Sequence, residues 1–135
     1  MNPRQEASLV NSTARATQAV NQVSNANRQM MAGAANLNMG RVGPANTNAR
    51  NATSQLSSAS TNFKKAANGL ASYSNLNKNI AIASNYLNRA SAEAAKAATA
   101  KSLVLAGKAA EALGKAAGSN SMNNNSRLRA LKSRV

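Results

Sequence analysis

The chain contains no cysteine, no histidine and no aspartate, and its only acidic residues are Glu6, Glu93 and Glu111. Without cysteine it can form neither disulfides nor thiolate metal sites, and without histidine it lacks the commonest general base and metal ligand. Three scattered glutamates do not supply paired carboxylates, a metal shell or a base beside a nucleophile. No phosphate-binding GxxxxGK[ST] loop is present either. We therefore expect a non-enzymatic protein with no cofactor and no metal.

Bulky apolar side chains are also scarce. The aromatic residues are limited to Phe63, Tyr73 and Tyr86, and most of the 43% hydrophobic residues are alanine. Alanine favours helix but adds little buried area, and burial stabilises by only about 25 cal/mol per Å². We therefore expect an all-α fold, an extended helical hairpin or long amphipathic helices, that assembles into a homo-oligomeric bundle, ring or tube. No window reaches the ~18 to 20 apolar residues of a spanning helix, so any membrane contact is expected to be interfacial or made by the oligomer.

The charge is strongly one-sided, with 17 Lys and Arg and a formal net charge of +14 over 135 residues. A chain of this charge repels itself unless an anionic partner neutralises it. The basic residues are spread along the sequence and are not concentrated on one short recognition helix. This spread favours non-specific contact with the DNA phosphate backbone.

A first helix is predicted over residues 3–38. Asn2 is a suitable N-cap and Pro3 a suitable first helical residue. Apolar residues then recur every seven positions, and Val20 and Ala34 fill part of a second seam four residues later. Asn27 interrupts that second seam and either faces water or fixes the register. The first seam consists of Leu9, Ala16, Val23, Met30 and Leu37.

Residues 39–44 read as a hinge, in which Gly40 can adopt a left-handed cap and Pro44 can start the next helix. A long helix is predicted over residues 45–117. Gly69 and the following Ser and Asn residues indicate either a kink in one helix of roughly 110 Å at about 1.5 Å per residue or two helices meeting near residue 75. The residues expected to pack helices or copies together are Leu9, Val23, Met30, Leu37, Leu56, Phe63, Leu70, Tyr73, Leu76, Ile80 and Leu87.

The last part of the long helix has the pattern of a basic amphipathic helix, because Lys101, Lys108 and Lys115 share one narrow face at heptad spacing. The opposite side carries small and apolar residues. It predicts either a smooth face for a membrane or another backbone, or an ordinary alanine-rich helix that tolerates glycine. These residues are Leu103, Ala106, Gly107, Ala110, Leu113, Gly114 and Ala117.

Residues 119–126 are an asparagine-rich loop by composition, and residues 127–135 form a short basic tail. We treat residues 1–135 as a single helical chain. The side chains expected to contact anions or nucleic acid are Lys64, Lys65, Lys78, Arg89, Lys96, Lys101, Lys108, Lys115, Arg127, Arg129, Lys132 and Arg134.

Around the lysine heptad, the Ala, Asn, Ser and Gln-rich composition resembles that of the small internal virion, or ejection, proteins of short-tailed bacteriophages. This resemblance implies a non-enzymatic protein inside the capsid or near the portal. Such a protein assembles with copies of itself and with other virion proteins, and enters the host envelope to form a conduit for DNA. Two alternatives remain open: a non-specific, histone-like DNA-compacting protein, and a structural helical component of a phage neck, tail or capsid lining.

Overall fold

The computed structural model describes residues 3–69 and 74–117, with side chains described for residues 3–4, 11, 14–66 and 78–115. These residues form four helices: α1 (Pro3–Asn38), α2 (Val42–Gly69), α3 (Ser74–Ala95) and α4 (Thr99–Ala117). The described ranges contain no strand, so the all-α prediction is confirmed. α1 packs along α2, and α3 along α4, while α2 also contacts α3 and α4, and α1 contacts α4. The result is a four-helix bundle built from two helical hairpins.

The turn between α1 and α2 is closed by a glycine in the left-handed conformation. Gly40 has a φ of 75°. Its N–H donates to the Leu37 carbonyl at 3.0 Å, and the Arg41 N–H donates to the Asn36 carbonyl at 2.8 Å. This pair of bonds is the Schellman arrangement that satisfies the last carbonyls of a helix. The hinge is shorter than the predicted 39–44, because α2 already begins at Val42 and takes Pro44 into its first turn.

The prediction of one continuous helix over residues 45–117 is wrong. α2 ends at Gly69 and α3 begins at Ser74, which matches the alternative of two helices meeting near residue 75. A second interruption, at residues 96–98, was not predicted at all. It turns on Ala97, whose φ is 60°. The Ala97 N–H donates to the Ala94 carbonyl at 3.0 Å, and the Ala98 N–H to Glu93 at 2.9 Å, the same pattern as at Gly40.

The core runs along a heptad stripe of α2 and contains residues of all four helices. Of its twenty buried members, twelve are alanine, so the helices are held together by many small side chains rather than by a few large ones. Phe63 and Leu56 are the largest side chains that are fully buried. This core lies within one chain, and the homo-oligomeric assembly expected from the sequence stays a prediction. The fully buried stripe of α2 consists of Ala45, Ala49, Ala52, Leu56, Ala59, Phe63 and Ala66.

The predicted second seam of α1 is buried only in part. Val20 lies in the core, whereas Asn27 is half-buried and Ala34 is exposed. Ala19, Ala26 and Gly33, which follow the first seam by three residues, are all buried. The close neighbours of Gly33 explain why this position needs a residue without a side chain. A Cβ at Gly33 would lie 3.1 Å from Leu103 Cδ2 and 3.2 Å from Asn48 Cβ.

Side-chain amides fix the register of α1 against α2. Asn62 Nδ2 donates to Gln22 Oε1 at 2.8 Å. Fourteen residues earlier in α2, Asn48 donates to Gln29 at 2.8 Å and accepts from Asn36 at 2.9 Å. These bonds form an amide ladder along the α1–α2 hairpin. Because alanine seams provide few distinctive knobs, polar pairs of this kind determine which residues face each other.

A second polar cluster fixes the turn between α3 and α4 to the start of α2. Asn46 Nδ2 and Arg50 Nη2 both approach the Ala94 carbonyl, at 3.1 and 3.4 Å. Thr99 Oγ1 donates to Asn46 Oδ1 at 3.0 Å, and the buried Ser102 hydroxyl donates to the Ala90 carbonyl at 2.8 Å. Arg50 also supplies a cation at the C-terminal end of α3, where the helix dipole favours positive charge. The two hairpin turns therefore lie at the same end of the bundle.

Replacing Ala97 with glycine is expected to raise the free energy of unfolding by about 1 kcal/mol. Glycine adopts the left-handed conformation without the steric cost that alanine carries. Urea denaturation followed by circular dichroism measures the change. The matched control is Ala92→Gly on the exposed side of α3, where glycine should cost about 1 kcal/mol. Equal destabilisation by the two substitutions would contradict the left-handed turn.

Gly33 and Gly107 should respond differently to alanine. A Cβ at Gly107 meets nothing within 4 Å, so Gly107→Ala is expected to stabilise α4 by up to about 1 kcal/mol through helix propensity. At Gly33 the added methyl group presses on Leu103 and Asn48, and overpacking of this kind typically costs about 1 to 3 kcal/mol. Thermal unfolding of the two variants should rank Gly107→Ala above Gly33→Ala. The reverse order would show that α1 and α4 are not in close contact at Gly33.

Candidate polyanion-binding face

All of the described cationic side chains are exposed, and the described acidic side chains number only two, Glu93 and Glu111. The cations are carried by all four helices and by both hairpin turns. Among the described residues, exposed cations therefore occur on every helix and far outnumber the carboxylates. One part of this surface also carries apolar and aromatic groups. It lies on the α3–α4 hairpin.

We define the α3–α4 face by two rows of residues. On α3, Lys78, Ile82 and Arg89 follow one another at helical spacing, and all three are exposed. On α4, Val104 lies between Lys101 and Lys108, and these are exposed as well. Ile82 is 40% exposed and Val104 is 59% exposed. Each row thus places one branched apolar side chain between two cations, a combination that can contact both charged and apolar parts of a partner.

Tyr86 connects the two rows. The Arg89 guanidinium carbon lies 5.6 Å from the centre of the Tyr86 ring, and Lys108 Nζ lies 5.7 Å from the same centre. Each contact is a cation–π interaction of about 0.5 to 1 kcal/mol at an exposed site. Tyr86 itself is half-buried and packs against the core. The ring therefore holds two like charges near each other on neighbouring helices.

A groove of about 430 Å³ runs between the two helices beside these residues. Arg89 and Glu93 line it from α3, and Lys101, Val104 and Leu105 line it from α4. A second depression of about 410 Å³ lies along α3 between Lys78 and Arg89. The first combines apolar residues with two cations and the Glu93 carboxylate, and the second combines apolar residues with two cations. Each therefore carries a net positive charge.

The other predicted cationic contacts lie elsewhere or outside the description. Lys64 and Lys65 are exposed on α2, and Lys96 is exposed at the turn after α3. Lys115 is exposed near the end of α4. Arg89 lines one groove with Lys101 and another depression with Lys78, and it shares the Tyr86 ring with Lys108. Four predicted contacts fall beyond the described residues: Arg127, Arg129, Lys132 and Arg134.

The residues predicted to pack helices together are distributed as follows. Met30 and Leu37 are half-buried, and Met30 packs against the core cluster. Leu70 and Tyr73 lie outside the described residues, as do the side chains of Leu9 and Leu76. The remaining members are buried in the core: Val23, Leu56, Phe63, Ile80 and Leu87.

The small-residue side of α4 is not a free face. Ala106, Ala110 and Leu113 belong to the core cluster, and Gly114 is buried too. Leu103 is half-buried and reaches toward Gly33, Gly107 is half-buried, and the side chain of Ala117 is not described. In the folded bundle α4 buries this side against other helices of the same chain, so it is not open to a membrane there.

Sequence reasoning did not identify Ile82, Tyr86 and Val104 as parts of a site. Tyr86 lies three residues before Arg89, so its contact with Arg89 follows from helical spacing. Its contact with Lys108 depends on the unpredicted turn at Ala97 and could not be read from the sequence. None of the described helices combines the length and the apolar character needed to cross a membrane.

Comparison of the chain with protein-family models, with curated proteins and with solved structures finds no match in any of the three. No residue role can therefore be transferred from a relative.

Proposed function

We propose that the protein is a non-enzymatic component of a phage virion, of the internal or ejection type, that packs beside genomic DNA and helps form a conduit for DNA delivery across the host envelope. The observation that carries this proposal is the α3–α4 face, where Lys78, Arg89, Lys101 and Lys108 converge on one side of the bundle. Phosphate oxygens are the ligands that such a set of exposed cations accepts best.

The contact is expected to be independent of base sequence. Base readout requires side chains that enter a groove from a protruding helix or strand, whereas the cations here stand on the flank of a bundle. Lys101 and Lys108 are seven residues apart on α4, a separation of about 10 Å at 1.5 Å per residue. They can therefore meet separate phosphates of one duplex. Neutralisation of DNA charge by these side chains suits a protein confined with a packaged genome.

The apolar part of the face supports contacts with further proteins. Contact with DNA phosphate would not bury or stabilise the exposed apolar side chains of Ile82 and Val104. Copies of this chain or other virion proteins could cover them through the groove between α3 and α4. We therefore include homo-oligomerisation and other virion proteins in the proposal, in a location inside the capsid or near the portal.

Binding to DNA should depend steeply on salt, and the α3–α4 face should carry more of it than other surfaces. Each lost phosphate contact lowers the slope of log affinity against log salt by about 0.9. We expect the double variant Lys101→Gln, Lys108→Gln to reduce the magnitude of this negative slope by about 1.8. It should also weaken binding at low salt. Fluorescence anisotropy with a random-sequence duplex between 50 and 200 mM NaCl, a range over which about six to ten contacts cost several orders of magnitude, measures both quantities.

The matched control removes the same charge from α2, as Lys64→Gln, Lys65→Gln. A smaller loss in this control supports the α3–α4 face. Equal losses in both variants would instead favour the second candidate, a histone-like compacting protein. In that case cations on different faces of the bundle contribute equally to binding. Absence of salt-dependent binding in the parent protein would contradict both candidates.

The conduit part of the proposal requires contact with the host membrane. We expect the protein to release a dye from vesicles that contain anionic lipid, and we expect less release when Lys101, Lys108 and Lys115 are replaced by Glu. Vesicles of neutral lipid are the control, since the interaction depends on attraction between lysine and anionic headgroups. Tight duplex binding without any dye release would remove the conduit role and leave the DNA-packing role in place.

A further inference from the structure

We propose that the turn between α3 and α4 is a latch, and that its opening joins the two helices into one continuous helix when an anionic lipid surface covers the apolar side of α4. The latch serves the conduit part of the proposed function, but the change in helix geometry can be measured without any DNA or dye release.

The turn itself is made of residues that favour helix. Residues 94–98 read Ala-Ala-Lys-Ala-Ala and contain no glycine or proline. Alanine has the highest helix propensity, yet Ala97 is held in the left-handed region with a φ of 60°. By contrast, the turn between α1 and α2 places Gly40 in that conformation. The α1–α2 turn therefore has a residue suited to it, and the α3–α4 turn has one that would be more stable in a helix.

Contacts from α2 keep this turn closed. Asn46 bonds to the Ala94 carbonyl and accepts a bond from Thr99, and Arg50 adds a weaker contact to the same carbonyl. In a continuous helix the Ala94 carbonyl would instead accept a bond from the N–H at position 98. The cluster of Asn46, Arg50 and Thr99 therefore stabilises the bent form specifically.

Opening would release the side of α4 that is now in the core. Ala106, Ala110 and Leu113 would become exposed to water. The bent form is therefore the more stable one for an isolated chain. Lys101 and Lys108 lie on the opposite side of α4 and are exposed in the bundle. A helix with an apolar side and a basic side is the kind that lies in the headgroup region of an anionic bilayer. Such a surface can replace the lost packing, and a continuous helix over residues 74–117 would be roughly 65 Å long at 1.5 Å per residue.

The distance between positions 81 and 111 distinguishes the two forms. The Ser102 to Ala90 bond sets these exposed positions opposite each other on α3 and α4, about 10 Å apart across the helix pair. In a continuous helix they would be about 45 Å apart. Because the chain has no cysteine, Ala81→Cys and Glu111→Cys give specific spin-labelling sites. Pulsed electron paramagnetic resonance then measures the separation in buffer and with vesicles of phosphatidylglycerol and phosphatidylcholine.

In the labelled parent we expect the short distance in buffer and a long-distance population on the vesicles. Ala97→Gly should lower the ratio of long to short form at least tenfold, because glycine both relaxes the bent turn and weakens the continuous helix. Ala92→Gly is the matched control, since position 92 is helical in both forms and glycine there should leave the ratio unchanged. Asn46→Ala should raise the ratio.

The proposal is overturned if the short distance persists on vesicles in both the parent and the Asn46→Ala variant while circular dichroism shows folded protein bound to lipid. A long distance in buffer alone would also overturn it, because the hairpin would not then be the resting form. A long distance that appears with increasing protein concentration in the absence of vesicles would show that further copies of the chain, and not a lipid surface, cover the apolar side of α4. This result would also overturn the proposal. Loss of DNA binding in the Lys101→Gln, Lys108→Gln variant tests the proposed function separately, and this variant is expected to keep the short distance in buffer.

Discussion

The close packing of alanine seams is the constraint on which the rest of this structure depends. Small side chains allow helices to approach closely, but they provide few shapes by which one register can be told from another. The chain meets this difficulty with polar side chains. The Asn62–Gln22 pair and the bonds of Asn48 set α1 against α2, and Asn46 sets the second hairpin against the first. Asparagines that lower local helix propensity thus contribute specificity at the level of the bundle.

The fold class and the first hairpin could be predicted from the sequence because their signals are local. The heptad seam of α1 and the glycine at position 40 each belong to one short stretch, and Gly40 adopts the expected left-handed cap. The break at Ala97 has no such signal, since its surroundings favour helix and the turn is imposed by the packing of α4 on α3 and by contacts from α2. The burial of Ala19, Ala26 and Gly33 beside Val20 has a similar origin, because the partner helices decide how far a buried stripe extends on either side of a heptad seam.

The candidate site was partly foreseen. The lysine heptad marked α4 as basic, and Lys101 and Lys108 do lie on the face where the cations converge. What could not be foreseen is the neighbour across the turn, since Tyr86 meets Lys108 only because α4 folds back along α3. The same turn reverses the interpretation of the opposite side of α4. The side of α4 that the sequence suggested for a membrane is buried inside the bundle, whereas the cations on the other side of α4 remain exposed.

The amide ladder has a consequence for the environments in which the bundle can work. Its bonds join neutral carboxamide groups, so counter-ions do not screen them as they screen attraction between exposed charges. The pairing of α1 with α2 should therefore be the same in a dilute solution and among densely packed phosphates, while the lysines and arginines outside respond to every change in ionic strength. The contacts that set the helix register inside the bundle are therefore insensitive to salt, whereas the charged outer surface responds to it.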